Sequence, residues 1–251
     1  MNRPASIIRY KETVARIVAD ERYLPAAKRE IESRYESILE YTRRRPDFIA
    51  SLTPLPDDGS APEIVRRMLE AGRRAGVGPM AAVAGAVAEF ALRAMLEAGA
   101  EEALVENGGD IAMFIQRPVI IPVFAGPSSL KGLGLKIRPS GRIMGLCTSS
   151  GTVGHSLSFG KADAAVVLAG DAALADAAAT SLGNAVRERD ERSLEQALES
   201  SWLEGLEGML AVAGDLLALK GNMPEVVAIA GDGAKRRDAG CRAAEGADGH
   251  E

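Results

Sequence analysis

The chain has 251 residues, with 30 Lys and Arg against 35 Asp and Glu and a formal net charge of −5 at neutral pH. This is enough chain for one large domain or two small ones, with no need of a disulfide or structural metal to hold a core. The acidic balance excludes nucleic acid as the main partner, aromatic residues at 4 % are too few for base stacking, and two distant cysteines point to a reducing, cytoplasmic setting.

The opening stretch, MNRPASIIRYKETVARIVADE, has no apolar run of signal-peptide length. Ile, Tyr, Thr and Val through residues 6–18 predict a strand or hairpin. From Leu24 to Arg45, the spacing of Ile31, Tyr35, Ile38 and Thr42 predicts an amphipathic helix, which Pro46 stops. A Pro- and Asp-rich link follows at 53–60, and Ser60-Ala61-Pro62-Glu63 reads as a capping box opening a helix from Ile64 to Arg74. Residues 79–99 are rich in Ala, Gly and Val, with Glu89, Arg93 and Glu97 recurring every four residues. Charges at mid-span are costly in lipid, so this is expected to be a buried core helix with one wetted stripe rather than a membrane span. Its small residues would let a second copy approach closely, so a homodimer is compatible with it.

Beyond residue 100 the period changes. Short apolar segments near 102–106, 110–124, 133–138, 142–147 and 162–169, separated by Gly, Pro and Ser, predict strands. A helix is expected from Asp171 to about Arg189 and another at 193–201. Two apolar runs around Gly214-Asp215 signal a hairpin at 209–220, and Val226–Ala230 a last strand. Helices and strands come in blocks, which favours an α+β fold: one domain over residues 1–231, then an aperiodic tail at 232–251 expected to be disordered.

Three stretches have the residue types for chemistry. In Leu146–Gly160, Thr148, Ser149, Ser150 and Gly151 offer hydroxyls and close-approach backbone suited to an anion, without the Lys of a Walker loop; a polar turn between strands explains them as well. His155 is one of two histidines and the ordered region's candidate for titration near neutrality. Cys147 reads as a nucleophile, a persulfide carrier or simply a small hydrophobe. The turn Asn107-Gly108-Gly109-Asp110 fits a ligand-admitting bend or a plain hairpin. In the helix after Asp171, Asp176 and Thr180 lie four apart among small residues, a hard-oxygen pair suited to Mg²⁺ and equally readable as a covered polar stripe.

In this order, GPMAAVAGA at 78–86, NGGDI at 107–111, TSSGTVGH at 148–155 and ADAAAT at 175–180 resemble the ApbE family, flavin transferases that attach FMN to a threonine of a partner protein. The CTSSGTVGHSLSFGKADA run is closer still to a short ApbE-like branch of the UPF class. The resemblance implies a T-fold-related α+β architecture of mixed sheets packed with helices. It implies Mg²⁺ on Asp176, Thr180 and the carbonyl of Ala81, and a FAD or FMN pocket formed by Asn107, Gly108, Gly109, Asp110, Thr148, Ser149, Ser150 and Gly151. It further implies His155 as catalytic base, with a small phosphorylated ligand and a protein substrate as partners. The Asp-Pro-Arg-Thr-Gly run that follows the family histidine is replaced here by Ser156-Leu157-Ser158-Phe159-Gly160. Two other functions stay open: sulfur assimilation towards homocysteine through Cys147, and a non-catalytic scaffold.

Overall fold

The computed structural model describes residues 4–126, 130, 132–149, 160–229 and 242–243. Strands β1 (Ser6–Tyr10) and β2 (Thr13–Val18) form a hairpin, followed by helices α1 (Leu24–Arg44), α2 (Asp47–Ala50), α3 (Glu63–Ala75) and α4 (Val83–Glu97). Then come β3 (Ala103–Asn107), β4 (Asp110–Phe114), β5 (Val119–Val123), β6 (Leu133–Ile137), β7 (Met144–Ser149), β8 (Ala164–Ala169), α5 (Ala172–Ala185) and α6 (Glu191–Ser200). The described chain ends with β9 (Leu206–Ala213), β10 (Leu216–Gly221), β11 (Glu225–Ala228) and β12 (Arg242–Ala243).

Eight strands pair antiparallel in the order β1-β2-β3-β4-β7-β8-β9-β10, and β11-β6-β5-β12 make a second sheet. The fold is α+β. Strand alternation sends every second residue to one face. Ile17, Val105, Ala112, Cys147 and Val167 therefore share a core with the helices, while Val18, Leu104, Met113, Leu146 and Val166 share another with Ile121 and Leu135 of the small sheet. The large sheet is thus the middle of three layers.

Helix α5 lies directly on the large sheet. Apart from Asp176 it is entirely Ala and Leu over its first eight residues and is buried all round, between β7, β8, α3 and α4. Gly145 of β7 makes this possible, because a Cβ there would stand 2.5 Å from the Cα of Ala172. Gly145→Ala should therefore push α5 off the sheet and lower stability by roughly 1–3 kcal/mol, the usual range for overpacking. Urea unfolding checks this, and an unchanged midpoint would contradict the packing.

Several expectations need correction. The run 110–124 is two strands in different sheets, broken around Gln116-Arg117-Pro118. The capping box does not form: Pro62 precedes α3 without a side-chain cap, and Ser60 instead turns its amide and hydroxyl to Asp58. Helix α5 stops at Ala185 rather than near Arg189, because Val186 turns extended and accepts from the Lys161 amide, and Arg189 runs back to the buried Asp163. The expected tail contains β12, whose Arg242 and Ala243 pair with Ile120 and Val119; the rest of 230–251 lies outside the described residues. The segment Pro79–Glu97 is long and apolar enough to cross a membrane by length and composition. It packs against α1, α5, β3 and β4 as a core helix. Its stripe is not wetted throughout: Glu89 is 3 % exposed and ion-paired with Arg67 and Arg93.

Candidate functional site

A cavity of about 580 Å³ opens where the β3–β4 turn, the end of β7, one face of α5 and the start of α4 converge. Its lining includes Ala81, Asn107, Gly108, Asp110, Thr148, Ser149, Asp176 and Thr180. Ala81 and Thr180 are 99 positions apart in the chain, and the fold brings them to one wall.

The β3–β4 connection is a tight hairpin in which Asn107 and Asp110 pair and Gly108 and Gly109 take positive φ, 69° and 107°. Only glycine adopts that pair of angles without strain. The plain-hairpin reading of this motif is therefore correct locally, and the same hairpin puts both flanking polar side chains at the cavity. Asn107 donates to the Ala84 carbonyl at 3.2 Å, tying the turn to the start of α4. Asp110 is 7 % exposed and accepts from the Thr148 amide at 3.3 Å. Burial pushes its carboxyl up to about 7, against the opposing pull of the Cys147 thiol and the Thr148 amide.

Asp176 and Thr180 lie one turn apart on α5, 8 % and 9 % exposed. The Asp176 carboxylate accepts from the Gly85 amide at 2.9 Å. Helix α4 has no capping side chain of its own, so Asp176 caps it from the neighbouring helix. Gly85 allows the approach: a Cβ there would meet the Ala172 carbonyl oxygen at 2.2 Å. Burial, and secondarily the charge of Asp110, push the Asp176 carboxyl well above the usual carboxylate range, while the Gly85 and Ala84 amides work the other way. An ionised carboxylate offers about four acceptor positions. The two amides leave some of them for the cavity.

Along β7, Gly145, Cys147 and Ser149 face α5. Cys147 is fully buried and its thiol donates to the Ala172 carbonyl at 3.4 Å. Burial, then Asp110 and Asp176, raise its ionisation well above normal. A thiolate is disfavoured there, which weighs against a nucleophile or persulfide carrier. Ser149 is 4 % exposed, and its Oγ has no hydrogen-bond partner among the described residues. A buried hydroxyl left unpaired costs about 1–3 kcal/mol, so a ligand atom is the natural partner.

The donor set fits a hard divalent cation: two buried carboxylates, the hydroxyls of Thr180 and Ser149, and, among the described lining residues, no Lys, Arg or His to balance the charge. No group of three or more His, Cys, Asp and Glu side chains comes together among the described residues, so hydroxyls, backbone or ligand oxygens would complete the coordination.

Ser150, Gly151 and His155 lie outside the described residues. The motifs in the sequence do not point to Ile49, Leu52 and Val77, which with Met80 and Val83 of the first motif add an apolar rim. Ile49 and Leu52 are more than half exposed at the mouth. The fully buried Phe48, edge-on to Tyr41 at 5.1 Å, and the Gly78 amide bonded to the Leu52 carbonyl hold that rim in place.

A family model described as AbpE bacteria matches residues 5–202. The UPF0280 protein of Methanococcoides burtonii is 43 % identical over 86 % of this chain and 92 % of its own length. That of Methanothrix thermoacetophila is 45 % identical over 87 % and 92 %, and that of Archaeoglobus fulgidus 43 % over 86 % and 91 %. Among solved structures, the flavin transferase ApbE from Vibrio cholerae is similar at 15 % identity and a TM-score of 0.46, covering 90 % of this chain and 98 % of that one. The apo flavinyl transferase ApbE of Pseudomonas stutzeri gives 17 % and 0.39 over 58 % and 48 %.

Proposed function

The chain belongs to the AbpE bacteria family, alongside the UPF0280 proteins, and from that premise we propose that it binds a phosphorylated ligand, a flavin nucleotide, through Mg²⁺ in the cavity below Ile49 and Leu52. The observation behind this reading is convergence. Residues of all four motifs that resemble the flavin transferases line one cavity. Its unpartnered buried hydroxyl and two charge-starved carboxylates want a cation and a ligand oxygen.

In this reading Asp176 and Thr180, with the carbonyl of Ala81, hold the cation. When bound, Mg²⁺ supplies positive charge against the ligand's phosphates and, in a transfer reaction, against the charge that develops on the phosphoryl group. Thr148, Ser149, Ser150 and Gly151 give donors to the phosphate oxygens, and the turn Asn107-Gly108-Gly109-Asp110 closes the other side. The apolar rim shields the site from water, which strengthens each of these contacts. In a transfer of the FMN half of FAD onto a protein threonine, His155 would take the proton of the attacking hydroxyl while the pyrophosphate bond breaks and AMP leaves.

The test is direct binding. FAD and FMN titrated into the protein should saturate with Mg²⁺ present and lose affinity at least about tenfold in EDTA, followed by flavin fluorescence. Equal affinity with and without the metal, or no saturation with it, would remove the proposal. A non-catalytic scaffold predicts no such binding.

A further inference from the structure

Glu89 lies on α4, outside the cavity, yet it is among the most tightly held side chains of the molecule. One of its carboxylate oxygens accepts from Arg67 Nη2 at 3.1 Å and from Arg93 Nε and Nη2 at 2.9 and 2.7 Å. The other accepts from the Ala172 amide at 2.6 Å, and so caps the first turn of α5. Arg67 also reaches Asp171, the N-cap of α5, at 2.8 Å, and Asp171 accepts from the Leu174 amide at 2.9 Å.

The capping is reciprocal. Asp176 of α5 caps α4 through Gly85, and Glu89 of α4 caps α5 through Ala172. On each helix the two corners are four residues apart, just over one turn or about 6 Å. At the Gly85 corner the backbones touch so closely that no Cβ fits. Two rods joined at two points one turn apart cannot slide or rotate independently. Release of the Glu89 corner leaves the single Gly85–Asp176 bond to set how α5 is turned against α4, so the direction of the Asp176 carboxylate is no longer fixed from two sides.

We propose that Glu89 is a positioning residue for the cavity: through this paired clasp it fixes the placement of the Asp176 carboxylate that takes the divalent cation. The inference rests on the metal reading above and deepens it, by naming a residue that touches neither metal nor ligand. The competing account gives Glu89 only a structural duty, as the buried anchor of two half-exposed arginines.

Mn²⁺ alone, titrated into the whole chain by calorimetry well below the melting temperature, separates the two. Glu89→Gln keeps an oxygen at the same reach for the Ala172 amide, and its arginines can turn to water. Glu89→Asp keeps the charge but is one methylene too short. Positioning predicts Mn²⁺ affinity within about threefold of wild type for Glu89→Gln and about tenfold weaker for Glu89→Asp, the low end of the range for supporting groups around metal sites. Wild-type affinity in folded Glu89→Asp overturns the proposal, as does an equal loss in both variants, which would make the effect one of charge. Should Glu89→Asp fail to fold, Glu89→Ala takes its place, because it removes the oxygen that holds the Ala172 amide: about tenfold weaker Mn²⁺ binding supports the clasp, and wild-type affinity overturns it. Absence of Mn²⁺ binding by the wild type itself removes the metal reading, and this inference with it.

Discussion

Asp176→Asn should remove divalent-cation binding, by at least about 100-fold in Mn²⁺ or Mg²⁺ affinity, while leaving the protein folded and at least as stable at pH 8 as the wild type. The expectation follows from the two duties of the Asp176 carboxylate. As a cap for α4 it needs only an acceptor oxygen near the Gly85 amide, which an asparagine supplies. As a metal ligand it needs a negative charge, which asparagine lacks. A buried carboxylate beside Asp110 is itself destabilising once ionised, so neutralising it removes a cost. Asp176→Ala loses both duties and should be less stable than Asp176→Asn by about 1–2 kcal/mol, the worth of a helix cap. Calorimetric titration and urea unfolding of the two variants read the duties separately. Wild-type metal affinity in Asp176→Asn would reduce this side chain to a cap.

That dual role also explains how far the sequence could be read. The i,i+4 spacing of Asp176 and Thr180 and the small residues around them are visible in one dimension, and so is the covered character of that stripe. Its cover is not. Gly85 and Ala84 donate to Asp176 from 91 and 92 positions away, and no local pattern foretells a cap lent by another helix. The same holds for Glu89, whose four-residue rhythm with Arg93 and Glu97 reads as a solvated stripe. Its burial follows from Ala172 and Arg67, both remote.

Local signals fared best where geometry is settled locally. The Gly214-Asp215 turn, with Gly214 at a φ of 62°, and the Gly108-Gly109 turn sit where their glycines announce them. Strand breaks that depend on which sheet a segment joins were less legible, as the split of 110–124 into β4 and β5 shows. The apolar rim was invisible for a further reason. Ile49 and Leu52 stand in a stretch that reads as a helix stop and a Pro-rich link, and only the burial of Phe48 beneath them turns it into a wall.

The acid pair gives the second large effect, on stability against pH. Asp110 has its folded carboxyl at about 7 against an ordinary 3.8, and Asp176 is displaced in the same direction. For a group raised on folding, the native state keeps a proton that the unfolded chain has released. The stability this contributes is complete below about pH 4 and is lost as pH climbs through about 7. The carboxylates held low, Glu12, Asp47 and Asp58, lose their contribution only as pH falls to about 4 and below, so they do not offset a decline between pH 5 and 8. Metal-free protein should therefore melt at a lower temperature at pH 8 than at pH 5.5. Asp110→Asn should reduce that slope, and the part that is left belongs to Asp176. Mg²⁺ should reverse the trend, because it takes the ionised carboxylates and displaces their protons, so its stabilising effect grows with pH. Melting curves at the two pH values, with EDTA and with Mg²⁺, decide the matter. An undiminished slope in Asp110→Asn would assign the proton to another group, and a Mg²⁺ effect equal at both pH values would mean that the cation binds elsewhere.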